Sequence, residues 1–301
     1  MTTDEQHHAR WPNGAKAAVS FTMDNLGEAQ DVNRGLWPAD RPVGTDASVR
    51  EQLPRILDLL DRHGIRATYF AEAWSLGPYA DVARREILGR GHELAWHGYQ
   101  HEPWAALSAA DEELNFSRSR EAMGEFAKGD GAGGEDGGAV FQYRGFRPPG
   151  GTVNGERTYE LLRRHGVSYI SPLGKGVSVE RGVTVLPFDW RAVDAFYYME
   201  GEKFTKLRRE YGEPDPEAVL GPSRFRDFLQ EDLRAVVREG GYRSVLFHPF
   251  LQTSEEKFAV LDGFLGRLAG NSDIWCAPCD EVARWVQGHP ELFGSAERNL
   301  T

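Results

Sequence analysis

Short β-rich apolar runs alternate with amphipathic helical runs from residue 15 to residue 287, and this order constrains the fold more than any other feature. The strand-like runs are "AKAAVSFTM" (15–23), "IRATYFA" (65–71), "HELAW" (92–96), "FQYRGFR" (141–147), "VSYIS" (167–171), "GVTVLPF" (182–188), "YRSVLFH" (242–248) and "DIWCA" (273–277). Between them lie helical patterns. In "VREQLPRILDLLDRHG", Leu53, Ile56, Leu57 and Leu60 share one face and Gly64 supplies a stop. Further helices are expected near 79–90, 108–127, 155–166, 223–240, 255–268 and 279–287. Such alternation predicts parallel strands with right-handed crossovers, closed or nearly closed into an α/β barrel. No GxGxxG follows the first strand, which disfavours a dinucleotide-binding fold. We expect a single domain over 11–287, a tail at 1–10, a flexible Gly-rich loop at 128–139 ("KGDGAGGEDGGA") and a C-terminal tail at 288–301.

The net charge of −11, without a basic stripe, argues against nucleic acid as a partner. The opening "MTTDEQHHARWPNG" lacks the basic and apolar regions of a signal peptide, and no apolar run reaches membrane-spanning length. A cytoplasmic protein with no membrane partner is the expectation; a homo-oligomer is left open. The two cysteines form a CxxC, Cys276 and Cys279. No second Cys or His pair stands at zinc-site spacing, so a buried strand end running into a helix start is the favoured reading over a redox pair or a structural zinc.

Polar residues interrupt the apolar runs at strand C-terminal ends: Asp24, His97, Arg147, Asp189 and His248. In an α/β barrel those ends converge on the face that carries the active site. The stretch "GHELAWHGYQHEPW" (91–104) adds three of the nine histidines within ten positions, with His97 and His101 four apart. On a helical turn that spacing stacks two imidazoles on one face. Asp24, His97 and His101 would form a one-carboxylate, two-histidine metal set with coordination positions left for water and substrate. Trp37, Trp104, Trp190, Tyr197 and Tyr198 are candidates for the pocket wall or equally for the core.

Together these motifs resemble the polysaccharide deacetylase (NodB-homology, carbohydrate esterase family 4) superfamily, most closely its allantoinase-like and peptidoglycan-deacetylase-like branch. "FTMDN", "HELAWHGYQH", "FRPPGG", "FDW" and "VLFHP" stand in the family order. The resemblance implies an irregular NodB-type (β/α) barrel of about seven parallel strands and a divalent metal, usually zinc, on His97 and His101. It further implies that His248 is the general acid, that Arg147 orients the catalytic carboxylate, and that Asp189 tunes His248. The activity implied is metal-dependent hydrolysis of an amide C–N bond. N-deacetylation of a sugar or small acylated amine is favoured, cyclic amide (allantoin- or imide-like) hydrolysis is the alternative, and a non-catalytic binding protein on the same scaffold is the third. The family carries two acids after the first strand, and this sequence has only Asp24 there. If the missing acid is the base, Asp24 is the ligand and Glu28 is a candidate base. If it is the ligand, Asp24 is the base and Asn25 replaces the ligand. The expectation taken forward is Asp24 as the ligand, because it would be the only charged one.

Overall fold

The computed structural model describes residues 10–128 and 142–293. The expected Gly-rich loop falls outside the described residues apart from Lys128, as does nearly all of the expected N-terminal tail and the chain beyond 293. Strands and helices alternate as the sequence predicts. β1 (Ala17–Asp24) leads to a short α1 (Ala29–Asn33) and then α2 (Leu53–His63), which is entered through a π-helical turn at Ser48–Gln52. β2 (Thr68–Ala71), β3 (Glu93–Trp96), α3 (Ala109–Lys128) and β4 (Gly145–Phe146) follow. Next come α4 (Glu156–Arg164), β5 (Tyr169–Ile170), β6 (Ser178–Glu180) and β7 (Val183–Val185). The last part holds α5 (Asp194–Tyr198), α6 (Glu202–Glu210), α7 (Gly221–Glu239), β8 (Tyr242–Phe247), α8 (Glu255–Ala269), β9 (Ile274–Cys276) and α9 (Cys279–Gly288).

The sheet runs β6-β7-β5-β4-β3-β2-β1-β8, with β9 added on β1. β9 pairs the first half of β1 (Ala17, Ala18 and Val19) and β2 the last (Thr22, Met23 and Asp24), so one edge of β1 serves two partners. β8 pairs β1 over Ala18 to Met23. All of these ladders are parallel except β6–β7, an antiparallel pair that the sequence reading did not anticipate. A parallel bridge between Val193 and Leu246 links the segment after β7 to β8 and draws the two ends of the sheet together. The result is the irregular (β/α) barrel expected, with eight parallel strands rather than about seven.

Period-two alternation decides what fills each layer. On β1, Ala17, Val19, Phe21 and Met23 face the helices and join Ile56, Leu57 and Leu60 of α2 in the larger core. Ala18 faces the lumen with Phe70, Ala95 and Tyr169. The alternate β1 positions Ser20, Thr22 and Asp24 are buried polar groups, which makes the lumen polar toward the strand C-termini. α2 ends as read, on Gly64 in the left-handed region (φ 63°), whose N–H donates to the Asp61 carbonyl. At the far end of the chain, ordered packing continues beyond the expected boundary at residue 287. Phe293 is buried against Trp11, with ring centroids 5.1 Å apart. Among the described residues no helix is long and apolar enough to cross a membrane.

Gly145 in β4 shows how tightly the lumen is filled. A Cβ there would lie 1.8 Å from Cζ of Tyr169, a buried side chain whose hydroxyl donates to Glu93. Gly145→Ala should therefore lower stability by about 1–3 kcal/mol, the usual cost of overpacking. Urea denaturation checks this, and an unchanged midpoint would mean that the lumen has slack.

Candidate active site

The site forms where strand ends meet a buried cation. Arg147, directly after β4, is fully buried and all its nitrogens are engaged. Nη1 donates to Asp24 Oδ1 (2.7 Å) and to Thr22 (3.0 Å); Nε and Nη2 donate to Ser171, and Nη2 also to Ser244 (2.8 Å). Its guanidinium also lies over the ring of Phe70 at 4.1 Å. Asp24 is thereby clamped on one oxygen, while its Oδ2 lies 3.6 Å from His97 Nε2.

His97 Nδ1 lies 2.8 Å from the carbonyl of Arg147. A carbonyl can only accept, so Nδ1 carries the proton and the Nε2 lone pair is free for a metal. Burial pushes His97 down to about 3 and His101 well below its ordinary range, so both rings are neutral, as ligands must be. The pair does not converge on a helix, contrary to the expectation. Residues 97–101 form a turn in which Gly98 (φ 81°) and His101 (φ 62°) adopt left-handed backbone, which for His101 costs about 1 kcal/mol. Glu102 holds the turn by accepting from the N–H groups of Tyr99 and Gln100, and Asn115 also accepts from Tyr99. His101 Nδ1 meets the side-chain amide of Gln30 at 2.7 Å.

Besides Asp24, whose Oδ2 faces His97, a second carboxylate is gathered with these imidazoles: Glu72. Ligand atoms of Glu72, His97 and His101 all lie within 4.8 Å of one another, the one such metal-capable group among the described residues. Glu72 follows β2 and is fully buried; its oxygens accept from Leu26 N–H (3.0 Å) and Asn25 Nδ2 (2.8 Å). A carboxylate has about four acceptor positions, so both bonds leave room for a cation. Burial pushes Glu72 up to about 8. One carboxylate and two neutral imidazoles fit a divalent ion such as zinc.

Asn25, the residue beside Asp24, sits in left-handed backbone (φ 65°) and serves to orient Glu72. Glu28 is unsuited to the base role considered for it. It is buried and spent on Gly44 N–H (2.6 Å) and the Tyr79 hydroxyl. Asp189 requires a correction too. It caps the turn Trp190–Ala192 and pairs with Arg191, whereas Asp194 faces His248. Asp194 Oδ1 is 2.6 Å from His248 Nδ1, and its Oδ2 accepts from His248 N–H and from Gln252. The Val193–Leu246 bridge explains the switch, since it lays Asp194 beside the end of β8. Of the candidate wall aromatics, Trp104 packs in a core cluster with Trp96, Phe116 and Phe146, and Tyr197 stacks on Phe225. Trp190 lies beneath Lys203. Cys276 ends β9 and Cys279 opens α9, both as free thiols pushed up by burial to about 12 and about 11, so neither is poised for redox chemistry.

A barrel with a histidine–carboxylate cluster and an arginine-clamped aspartate at the strand C-termini defines the class of this protein. The comparisons agree with the family resemblance. Residues 43–170 match the polysaccharide deacetylase family model. A peptidoglycan deacetylase from Helicobacter pylori is 32% identical over 83 residues, which are 28% of this chain and 25% of that protein, so the chain spans about a quarter of that relative's length. A Mycobacterium smegmatis structure assigned to the polysaccharide deacetylases superposes with a TM-score of 0.74 at 26% identity, covering 97% of this chain and 96% of the other. The structure of Puue allantoinase shares the fold (TM-score 0.71, 18% identity, 93% of each chain). The chain therefore resembles the polysaccharide deacetylases in fold across nearly its whole length and in sequence across the segment from Val43 to Ile170.

The raised Glu72 has a measurable consequence in metal-free protein. Between its ordinary value of 4.5 and about 8 the folded state holds a proton that the unfolded chain releases. Its contribution is thus intact at low pH and lost as pH rises through that window. Relative to Glu72→Gln, wild-type protein in chelator should lose stability from pH 5 to pH 9, read as diverging denaturation midpoints. Parallel profiles would show that Glu72 is not held protonated.

Proposed function

We propose that the protein is a metal-dependent hydrolase of non-peptide C–N bonds, acting as an N-deacetylase on a carbohydrate or small acylated amine. The observation that carries this reading is the division of labour around His97. A carboxylate held by Arg147 lies 3.6 Å from His97, and an imidazole held by Asp194 is close enough for its charge to help depress His97. Relatives named as polysaccharide and peptidoglycan deacetylases point to the same substrate chemistry.

Glu72, His97 and His101 are the residues that would hold the ion. When bound, a divalent cation there supplies Lewis-acid polarisation of the acyl carbonyl and an acidified water. Asp24 Oδ2, on the free side of the clamped carboxylate, takes the proton of the attacking water as its oxygen adds to the acyl carbon. His248, held at Nδ1 by Asp194, presents Nε2 and gives a proton to the nitrogen as the C–N bond breaks. The products are the free amine and the carboxylic acid. Arg147 keeps Asp24 oriented and offsets its charge throughout.

The test is acetate release from N-acetylated amino sugars by zinc-loaded protein, with metal content measured on each variant. Asp24→Asn should keep its metal and lose roughly 10²–10⁴-fold in turnover, and His248→Gln should do the same with a loss of at least about 10²-fold. Glu72→Ala should lose both metal and activity. An Asp24→Asn protein that purifies without metal would return Asp24 to the ligand set and defeat the division of roles.

A further inference from the structure

We propose that Gln252 is a positioning residue that fixes Asp194 and, through it, the acid His248. This rests on the hydrolase reading above, in which His248 gives a proton to the departing nitrogen. The chain folds back as soon as β8 ends. Leu251 N–H donates to the His248 carbonyl and Gln252 N–H to the Pro249 carbonyl, both at 3.0 Å. Lys257 of α8 secures this turn. Its ammonium donates to the Leu251 carbonyl (2.8 Å) and to the Thr253 hydroxyl (3.3 Å), on the residues either side of Gln252. Gln252 is thus carried back beside the residue four places before it, and it is fully buried there.

The amide of Gln252 joins two groups that accept. Nε2 donates to Asp194 Oδ2 at 2.8 Å and to the His248 carbonyl at 3.3 Å. An ionised carboxylate and a carbonyl have no proton to give, so the amide nitrogen rather than Oε1 must face them. Among the described residues three donors reach Asp194: His248 Nδ1 on Oδ1, and His248 N–H and Gln252 Nε2 on Oδ2. Two of the three belong to His248 itself. A carboxylate held only by the residue it orients is free to turn with that ring, and Gln252 supplies the one independent bond. Asp194 is fully buried, where each donated bond favours its ionised form. An ionised Asp194 in turn keeps the proton on His248 Nδ1 and leaves Nε2 to carry the one that is transferred.

The test separates a reaction that needs the acid from one that does not. Zinc-loaded full chain is assayed on N-acetylglucosamine oligomers, whose amine must take a proton to leave, and on p-nitrophenyl acetate, whose phenolate leaves without one. Gln252→Leu should lower kcat on the amide about tenfold with KM unchanged, as expected for the loss of a bond to a buried charge. Its rate on the ester and its zinc content should match the wild type. Should the leucine variant fail to fold, Gln252→Met, unbranched and without a donor, takes its place. An unchanged amide rate, or an ester rate that falls in step with it, would overturn the inference and leave the hydrolase reading standing. A wild type that releases no acetate from the oligomers would overturn the hydrolase reading, and the inference with it.

Discussion

The site depends on one buried guanidinium. Arg147 is enclosed where the ends of β1, β4, β5 and β8 meet, and its donors reach Thr22 and Asp24 from the first, Ser171 after the third and Ser244 from the last. An unpaired charge at that depth costs several kcal/mol, so the hydroxyls and carboxylate around it are needed for the lumen to exist. The same residue's carbonyl sets the tautomer of His97. One side chain and its peptide thus couple barrel packing to the state of both a candidate base and a candidate ligand.

On the proposed division of roles, the metal-binding acid comes from a different strand than Asp24. Asp24 spends Oδ1 on Arg147, and a carboxylate clamped to a cation is a poorer donor to a second cation. Burial lifts Glu72 toward neutrality against the hydrogen bonds from Leu26 and Asn25 that favour its ionised form, and a bound cation would favour that form further. Asn25, standing where the family carries an acid, keeps a supporting part by donating to Glu72.

The alternation of apolar runs revealed the barrel, because parallel strands buried on both faces and amphipathic crossovers leave distinct periods in sequence. It missed β6 and the short helices α1, α5 and α6, whose few residues are shaped by tertiary contacts rather than by their own pattern. The strand-end rule picks out Asp24, His97, Arg147 and His248, and the structure places Arg147 against Asp24 and Asp24 beside His97. Glu72 follows "TYFA" and obeys the same rule, but the motifs of the resembled family point to the residues beside Asp24 instead. Asp189 also obeys the rule but turns away to cap Trp190–Ala192. Asp194, five residues on, reaches His248 only through the bridge between Val193 and Leu246, a long-range pairing that spacing does not encode. The HxxxH spacing brought two imidazoles together as read, but through a strained turn rather than a helix, since Gly98 and the left-handed His101 break helical geometry.

The central claim is that the metal-binding carboxylate and the proton-accepting carboxylate belong to different strands. A crystal structure of zinc-loaded protein, with the ion located by its anomalous scattering, tests this most directly. The ion should lie on Glu72, His97 Nε2 and His101, with Asp24 still paired to Arg147 and outside ligand distance. An ion ligated by Asp24, with Glu72 left on Asn25 and Leu26, would contradict it.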